Sequence, residues 1–216
     1  MEIKNNQSGR TMIEMILYIS LLIVLATGIA KTIGHGFDRY AIGRTSQQVN
    51  ELKKSVIQYT ATSEDYKEIA CDDCTQDSDI YNPLKKNGFN KMLNDKAIPY
   101  DMKHRTHQLG GLIALGCATD ISSSDVKNNY MFYITFNTIP KAACVEILTL
   151  GQFYSEGSEA DTIIVNMGEG YEKAFQFKHS LFDIPNAIEI TQHTLTMDQA
   201  VSACSQPNNT LTWIFS

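Results

Sequence analysis

Hydrophobic side chains dominate the start of the chain and become periodic further along. No charged residue occurs from Met15 to Ala30, and from Phe37 to Tyr59 apolar residues recur at spacings of three, four and eight with charged residues between them. Such spacing places the apolar residues on one stripe of a helix. No proline interrupts the first 82 residues. The pattern predicts one helix from about Thr11 to Thr60, apolar all round in its first half and amphipathic in its second.

Strand patterns follow in the second half of the chain. The candidates are aromatic and β-branched runs bounded by turn residues. The pair Gly110-Gly111 predicts a turn into the first of them. An antiparallel sheet built from these runs needs one face covered, and the stripe of the long helix can cover it. We therefore predict an α+β fold, with a long N-terminal α-helix packed against an antiparallel β-sheet head. The strand candidates are Leu112–Leu115, Asn129–Phe136, Thr162–Val165, Ala174–Phe177 and Leu211–Phe215.

Two short helices are predicted late in the chain, and each contains a cysteine. The first is Pro140–Leu150, which has proline in its first turn and includes Cys144. The second is Thr196–Cys204, in which Thr196 and Gln199 have the spacing of a capping box.

Composition and charge limit the classes of function. The 216 residues are 43% hydrophobic, which excludes a disordered tail. There are 18 Lys and Arg against 24 Asp and Glu, a formal net charge of −6. A negative balance disfavours broad binding to phosphate backbones. We therefore expect no nucleic-acid partner.

Candidate chemistry is sparse. Cys71 and Cys74 form one C-x-x-C with no second pair at a zinc-ligand spacing. His104 and His107 form an H-x-x-H among cations, for which we predict a solvated basic loop rather than a metal site. No nucleophile elbow or phosphate-binding loop occurs. We predict no catalytic residues, no metal, no cofactor and no enzyme.

The apolar N-terminal segment has three interpretations. Its 16 charge-free residues span about 24 Å as a helix and, with their neighbours, could cross a hydrocarbon layer of ~30 Å. A secretory signal peptide ending at Ala26-Thr27-Gly28 and a plain membrane anchor are the first two interpretations. Both leave Glu14 inside the apolar run, where an unpaired charge costs roughly 2.5–3.5 kcal/mol on insertion scales. The third gives this carboxylate a partner.

The segment Gly9-Arg10-Thr11-Met12-Ile13-Glu14-Met15 resembles the processing site of type IV prepilins. The resemblance implies that a prepilin peptidase cuts between Gly9 and Arg10. Glu14 then takes the fifth position of the mature chain. At that position the resemblance implies a charge pair with the N-terminal amine of a neighbouring subunit, and such a pair is strong in a low dielectric.

A second resemblance lies near the C-terminus. The motif K-A-A-C ending at Cys144 and the motif A-x-x-A-C ending at Cys204 resemble those of type IVb pilins, the bundle-forming and toxin-coregulated kind. This resemblance implies a Cys144–Cys204 disulfide that fastens the C-terminal region to the head, outside the cytoplasm. For Cys71, Cys74 and Cys117 the residues leave three arrangements open. These are a Cys71–Cys74 bond, a bond from one of them to Cys117, or free thiols.

Together the resemblances imply a domain organisation. Residues 1–9 are a leader peptide, 10–33 a transmembrane and assembly helix, 34–60 its amphipathic continuation, and 61–216 a globular head. The implied function is that of a structural subunit of a type IVb-like pilus. The implied partners are copies of the chain, a prepilin peptidase, and an inner-membrane assembly platform with its motor.

The same resemblance implies a location before and after assembly. The chain would first lie in the inner membrane with its head in the periplasm, and then in an extracellular filament. One alternative is a minor pilin or pseudopilin of a pilus or of a type II secretion system. Another is a periplasmic thiol-disulfide protein released at Gly28.

Overall fold

The structure is a computed structural model that describes residues 7–61, 69, 88–118, 131–150, 160–166, 173–177, 187–190 and 195–215, without the side chains of 7–11, 29–35 and 37. The chain divides into two compact units, residues 1–40 and 41–216. The helices are α1 (Gln7–Tyr59), α2 (Phe89–Asn94), α3 (Lys141–Thr149) and α4 (Met197–Ala203), with a 3₁₀ helix at Tyr100–Met102. The strands are β1 (Ile113–Ala118), β2 (Met131–Pro140), β3 (Thr162–Val165), β4 (Lys173–Phe177), β5 (Ile188–Ile190) and β6 (Asn208–Phe215).

The predicted long helix is confirmed. Helix α1 contains 53 residues. It begins at Gln7, before the predicted start at Thr11, and ends one residue before the predicted end at Thr60. The Gly9–Arg10 peptide bond therefore lies inside the first turns of α1.

The described strands form one sheet in the order β1-β2-β6-β3-β4-β5. Four neighbouring pairs are antiparallel, as predicted. The pair β4–β5 is parallel, with Phe175 opposite Ile188 and Phe177 opposite Ile190. The prediction of a wholly antiparallel sheet was therefore wrong at this edge. Strand β5 has only three residues, too few for a recognisable alternation.

A hydrophobic core lies between α1 and one face of the sheet within the second unit. Val49, Leu52 and Val56 of α1 are fully buried. Alternate residues of the central strands belong to the same apolar cluster, because successive side chains of a strand point to opposite faces. These strand residues are Phe132, Ile134 and Phe136 of β2 and Leu211, Trp213 and Phe215 of β6.

The opposite face of the central strands is buried as well. Met131, Tyr133, Ile164 and Ile214 belong to a second cluster there. Tyr133 occupies the space above Gly116, where an added Cβ would lie 2.7 Å from the tyrosine hydroxyl. The sequence predicted that one face needs cover, and the structure buries both.

The end of β3 is held to β6 by side-chain amides. Asn166 has a positive φ of 56°, a conformation that asparagine tolerates better than most residues. Its Nδ2 donates to Oδ1 of Asn209 at 2.9 Å, and its Oδ1 accepts from the backbone N–H of Thr210 at 2.9 Å. Both amides are buried. This network ends β3 and fixes where β6 begins to pair.

Candidate functional site

The N-terminal part of α1 exposes an apolar surface. We call the side chains of residues 12–25 the apolar surface of α1. Twelve of them are large hydrophobic groups, with exposed fractions from 52% at Leu25 to 70% at Met12. Soluble monomers rarely expose a contiguous apolar patch of this kind unless it serves an interaction. The twelve are Met12, Ile13, Met15, Ile16, Leu17, Tyr18, Ile19, Leu21, Leu22, Ile23, Val24 and Leu25.

Two hydroxyl groups on this part of α1, those of Ser20 and Thr27, are bonded to the helix itself. Ser20 Oγ donates to the carbonyl oxygen of Ile16 at 2.7 Å. Thr27 Oγ1 donates to the carbonyl oxygens of Ile23 and Val24, at 2.9 Å each. Ser and Thr hydroxyls commonly bond to the preceding helical turn in this way. The helix can therefore enter an apolar environment without breaking these hydrogen bonds.

The residues of the predicted processing site all lie on α1. Glu14 is exposed and stands between the exposed side chains of Ile13 and Met15. The backbone of Gly9 and Arg10 is helical. Their side-chain environment lies outside the described residues. The carboxylate is thus placed within the apolar surface of α1, as the sequence predicted.

The predicted transmembrane helix over residues 10–33 is not confirmed. Among the helices of the described ranges, none is both long enough and apolar enough to cross a membrane.

Helices α3 and α4 are joined by a disulfide. Cys144 and Cys204 are bonded, with their Cα atoms 5.9 Å apart and a sequence separation of 60. This is the pairing that the resemblance to type IVb pilins implied. Both cysteines are fully buried. The predicted capping box of α4 is present, since Gln199 N donates to Thr196 Oγ1 and Thr196 N donates to Gln199 Oε1.

The remaining cysteines are only partly described. Cys117 of β1 is also disulfide-bonded. Cys71 and Cys74 lie outside the described residues, so the pairing among these three stays a prediction.

An ion-pair cluster connects α1 to the segment that follows α2. Arg44 donates to Glu51 Oε1 at 2.8 Å and to Asp101 Oδ2 at 2.6 Å. The hydrogen bond to Glu51 and then that to Asp101 raise the pKa of Arg44 above its ordinary value. Further along α1, the hydroxyl of Tyr59 donates to Asp95 Oδ2 at 2.5 Å. These bonds hold the amphipathic part of α1 to residues 95–101 by polar contacts outside the core.

The prediction of a solvated H-x-x-H loop was wrong for one of its two histidines. His104 is exposed, but His107 is only 3% exposed and stacks on Phe136 with a centroid distance of 5.0 Å. Burial lowers the pKa of His107. Within the described ranges, no group of three or more His, Cys, Asp or Glu side chains could hold a metal ion.

Two features of the site had no local sequence signal. Asp101 is 57 residues from Arg44, so helical spacing could suggest Glu51 as a partner but not Asp101. The burial of His107 follows from its packing against β2, 30 residues away.

The solved structures that match this chain include two type IV pilins. TcpA, a type IV pilin from Vibrio cholerae El Tor biotype, aligns with a TM-score of 0.49 and 12% identity, over 82% of this chain and 99% of that one. A type IVb pilin from Salmonella typhi aligns with a TM-score of 0.45 and 17% identity, over 79% of this chain and 97% of that one. No protein-family model and no curated protein matches the sequence. Both of these solved structures are type IV pilins.

Proposed function

We propose that this chain is a structural subunit of a type IVb-like pilus and that it assembles through the apolar surface of α1. The observation that carries the proposal is the exposure of twelve large hydrophobic side chains on one helix. Fully burying a side chain of this size contributes about 1.5–3 kcal/mol. A second copy of the same helix is an apolar partner of matching length and chemistry.

Assembly of identical copies extends into a filament when their contacts are head-to-tail and do not close into a ring. The hydroxyls of Ser20 and Thr27 favour such packing, because they keep their hydrogen bonds inside their own helix. The proposal concerns the assembled filament outside the cell. Its partners are further copies of the chain, a prepilin peptidase and an assembly platform with its motor.

Processing between Gly9 and Arg10 is part of the proposal. It removes residues 1–9 and creates a new amine at Arg10, four residues before Glu14. In a bundle of apolar helices, the carboxylate of Glu14 gains by pairing with the amine of a neighbouring copy, since an unpaired charge there is costly. The motif Gly9–Met15 and the position of Glu14 within the apolar surface of α1 support this role.

The assembly proposal is tested by placing a charge within the apolar surface of α1. We expect Leu22→Lys to abolish filaments, because each subunit would bury an unpaired ammonium group, whereas Leu22→Met should retain them. Val201→Lys introduces the same charge at an exposed position of α4 and serves as the control. The measurement is the amount of this chain in filaments sheared from the producing cells, relative to total cellular chain. Filaments from Leu22→Lys cells at the wild-type level would contradict the proposal.

The role of Glu14 is tested by replacement and by mass. We expect filaments of the wild-type chain to contain a polypeptide that begins at Arg10, and Glu14→Ala to be processed but to assemble poorly. Assembly of Glu14→Ala at the wild-type level would refute the pairing. A mature chain beginning at Ile29 would instead support a protein released by signal peptidase. A chain found only in traces within filaments made of another subunit would support a minor pilin.

A further inference from the structure

His107 is buried with both ring nitrogens engaged. Nε2 lies 2.7 Å from the carbonyl oxygen of Asn137, and Nδ1 lies 3.3 Å from the backbone nitrogen of Leu109. A carbonyl oxygen only accepts and a backbone N–H only donates, so Nε2 must carry the proton and Nδ1 must be bare. These contacts therefore require a neutral ring.

The acceptor for His107 comes from an irregularity in β2. The pairing of β2 with β6 shifts register between Phe136 and Ile139. Asn137 lies within this irregularity. Its backbone N–H donates to the carbonyl of Leu112, the residue before β1, at 3.1 Å. Its carbonyl is then available to His107. The ring also lies parallel to that of Phe136, at an interplanar angle of 0°.

The same segment contacts α1. The backbone N–H of Gln108 donates to Oε1 of Gln48 at 3.2 Å. Nε2 of Gln48 and Oγ of Ser46 are buried and, in the described part of the chain, have no hydrogen-bond partner. A buried polar group without a partner is unfavourable compared with the same group in water. Gln48 therefore holds the segment to α1 through Oε1, while its Nε2 has no partner among the described residues.

We propose that His107 is a proton-controlled latch, which holds residues 105–112 against β2 and α1 while its ring is neutral and releases them when the ring takes up a second proton. Protonation would place an N–H at Nδ1 opposite the N–H of Leu109, where two donors repel. It would also place a positive charge in a buried site, where the charge loses its hydration. The latch lies within the compact unit of residues 41–216 and does not depend on filament assembly.

The direction of the pH effect follows from the environment of the ring. Burial is the larger influence and lowers the pKa of His107, while the hydrogen bond to Asn137 acts the other way. The closed state thus favours the neutral ring, whereas an opened segment takes up a proton at the ordinary pKa near 6.5. The stability of the closed segment is fully present above about pH 6.5 and is lost as the pH falls through and below that value.

Charged groups on the surrounding described elements do not account for this shift. Helix α1 brings Arg44 and Glu51, which pair with each other, and the 3₁₀ helix brings Asp101, which pairs with Arg44. The segment itself contributes His104 and Arg105, and Nε of Arg105 donates to the carbonyl of Ile113 at 2.8 Å. Tyr133 of β2 belongs to the cluster on the other face of the sheet. None of them is among the causes of the lowered pKa.

The latch is tested by hydrogen exchange of the full chain at two pH values. If only the opened segment is protonated, the protection factors of the amides of Leu109 and Gly110 should fall by up to about 30-fold between about pH 7.5 and about pH 5.0, after correction for intrinsic rates. In His107→Gln, whose amide can still donate to Asn137, this pH dependence should disappear. In His104→Gln, which removes the exposed histidine of the same segment, it should persist.

A second measurement keeps the test decisive should His107→Gln fail to fold. The nitrogen resonances of the wild-type imidazole should report a bare Nδ1 at neutral pH, and the ring should stay neutral while the protection of these amides falls below about pH 6.5. The latch is refuted if the ring becomes protonated while these amides keep their protection, or if the pH dependence survives in His107→Gln.

Discussion

Replacing Cys144 and Cys204 together by alanine is expected to lower the free energy of unfolding by about 4 kcal/mol. The bond closes a loop with a sequence separation of 60 residues. In the chain-entropy model, a loop of that length restricts the unfolded chain by about 4 kcal/mol. Thermal or denaturant unfolding under oxidising conditions measures the loss. We also expect less chain in filaments, because an unstable head is degraded before it assembles.

The single replacements distinguish the contribution of the disulfide to the free energy of unfolding from the contribution of the packing of its sulfur atoms. Cys144→Ala and Cys204→Ala each remove the whole bond, so each should destabilise about as much as the double replacement. Packing losses at two sites would instead add. Additive single effects, or a double variant within about 1 kcal/mol of wild type, would contradict the assignment of this stability to the disulfide.

The elements that sequence reasoning identified are those whose cause is local. Helix α1 follows from a long proline-free run with helical spacing, and α4 follows from the capping pair Thr196 and Gln199. Strands β3 and β4 were located to within one residue because short apolar runs are bounded by turn residues. In each case the sequence pattern that predicts the helix or strand lies within the residues that form it.

The features that sequence reasoning missed depend on contacts between distant segments. Strand β5 exists because Ile188–Ile190 pairs with β4, and nothing in three residues predicts that pairing or its parallel direction. His107 lies among cations in sequence, yet its partner is a carbonyl 30 residues away. Arg44 could be matched with Glu51 on the same helix, but Asp101 becomes its neighbour only when the head folds.

In the candidate site, too, the local features could be predicted from the sequence and the features that depend on distant contacts could not. The apolar surface of α1 and the position of Glu14 come directly from the order of residues along one helix, so they could be predicted. The exposure of that surface could not, because exposure depends on whether any other part of the chain covers it. The hydroxyl bonds of Ser20 and Thr27 are local to α1, and helical geometry alone brings them into reach of the preceding turn.

Gly111→Ala is expected to destabilise the head by about 3 kcal/mol, at the upper end of what overpacking usually costs. A Cβ at this position would lie 1.9 Å from the carbonyl oxygen of Asn137 and 2.4 Å from Nε2 of His107. The first of these atoms is backbone and the second is in a buried ring, so neither can move aside without breaking the hydrogen bond between them. Denaturant unfolding of the variant measures the effect.

Gly110 provides the matched control, because its backbone conformation, and not a close contact, favours glycine there. Gly110 has a φ of 90°, but among the described residues other than its chain neighbours no atom lies within 4 Å of an added Cβ. Gly110→Ala should therefore cost only the backbone strain of a left-handed residue, about 1–2 kcal/mol. It should leave the bond between His107 and Asn137 intact, whereas Gly111→Ala should release the segment and expose His107 at neutral pH. Equal losses in the two variants would mean that turn conformation, and not close contact with Asn137, makes glycine necessary at position 111.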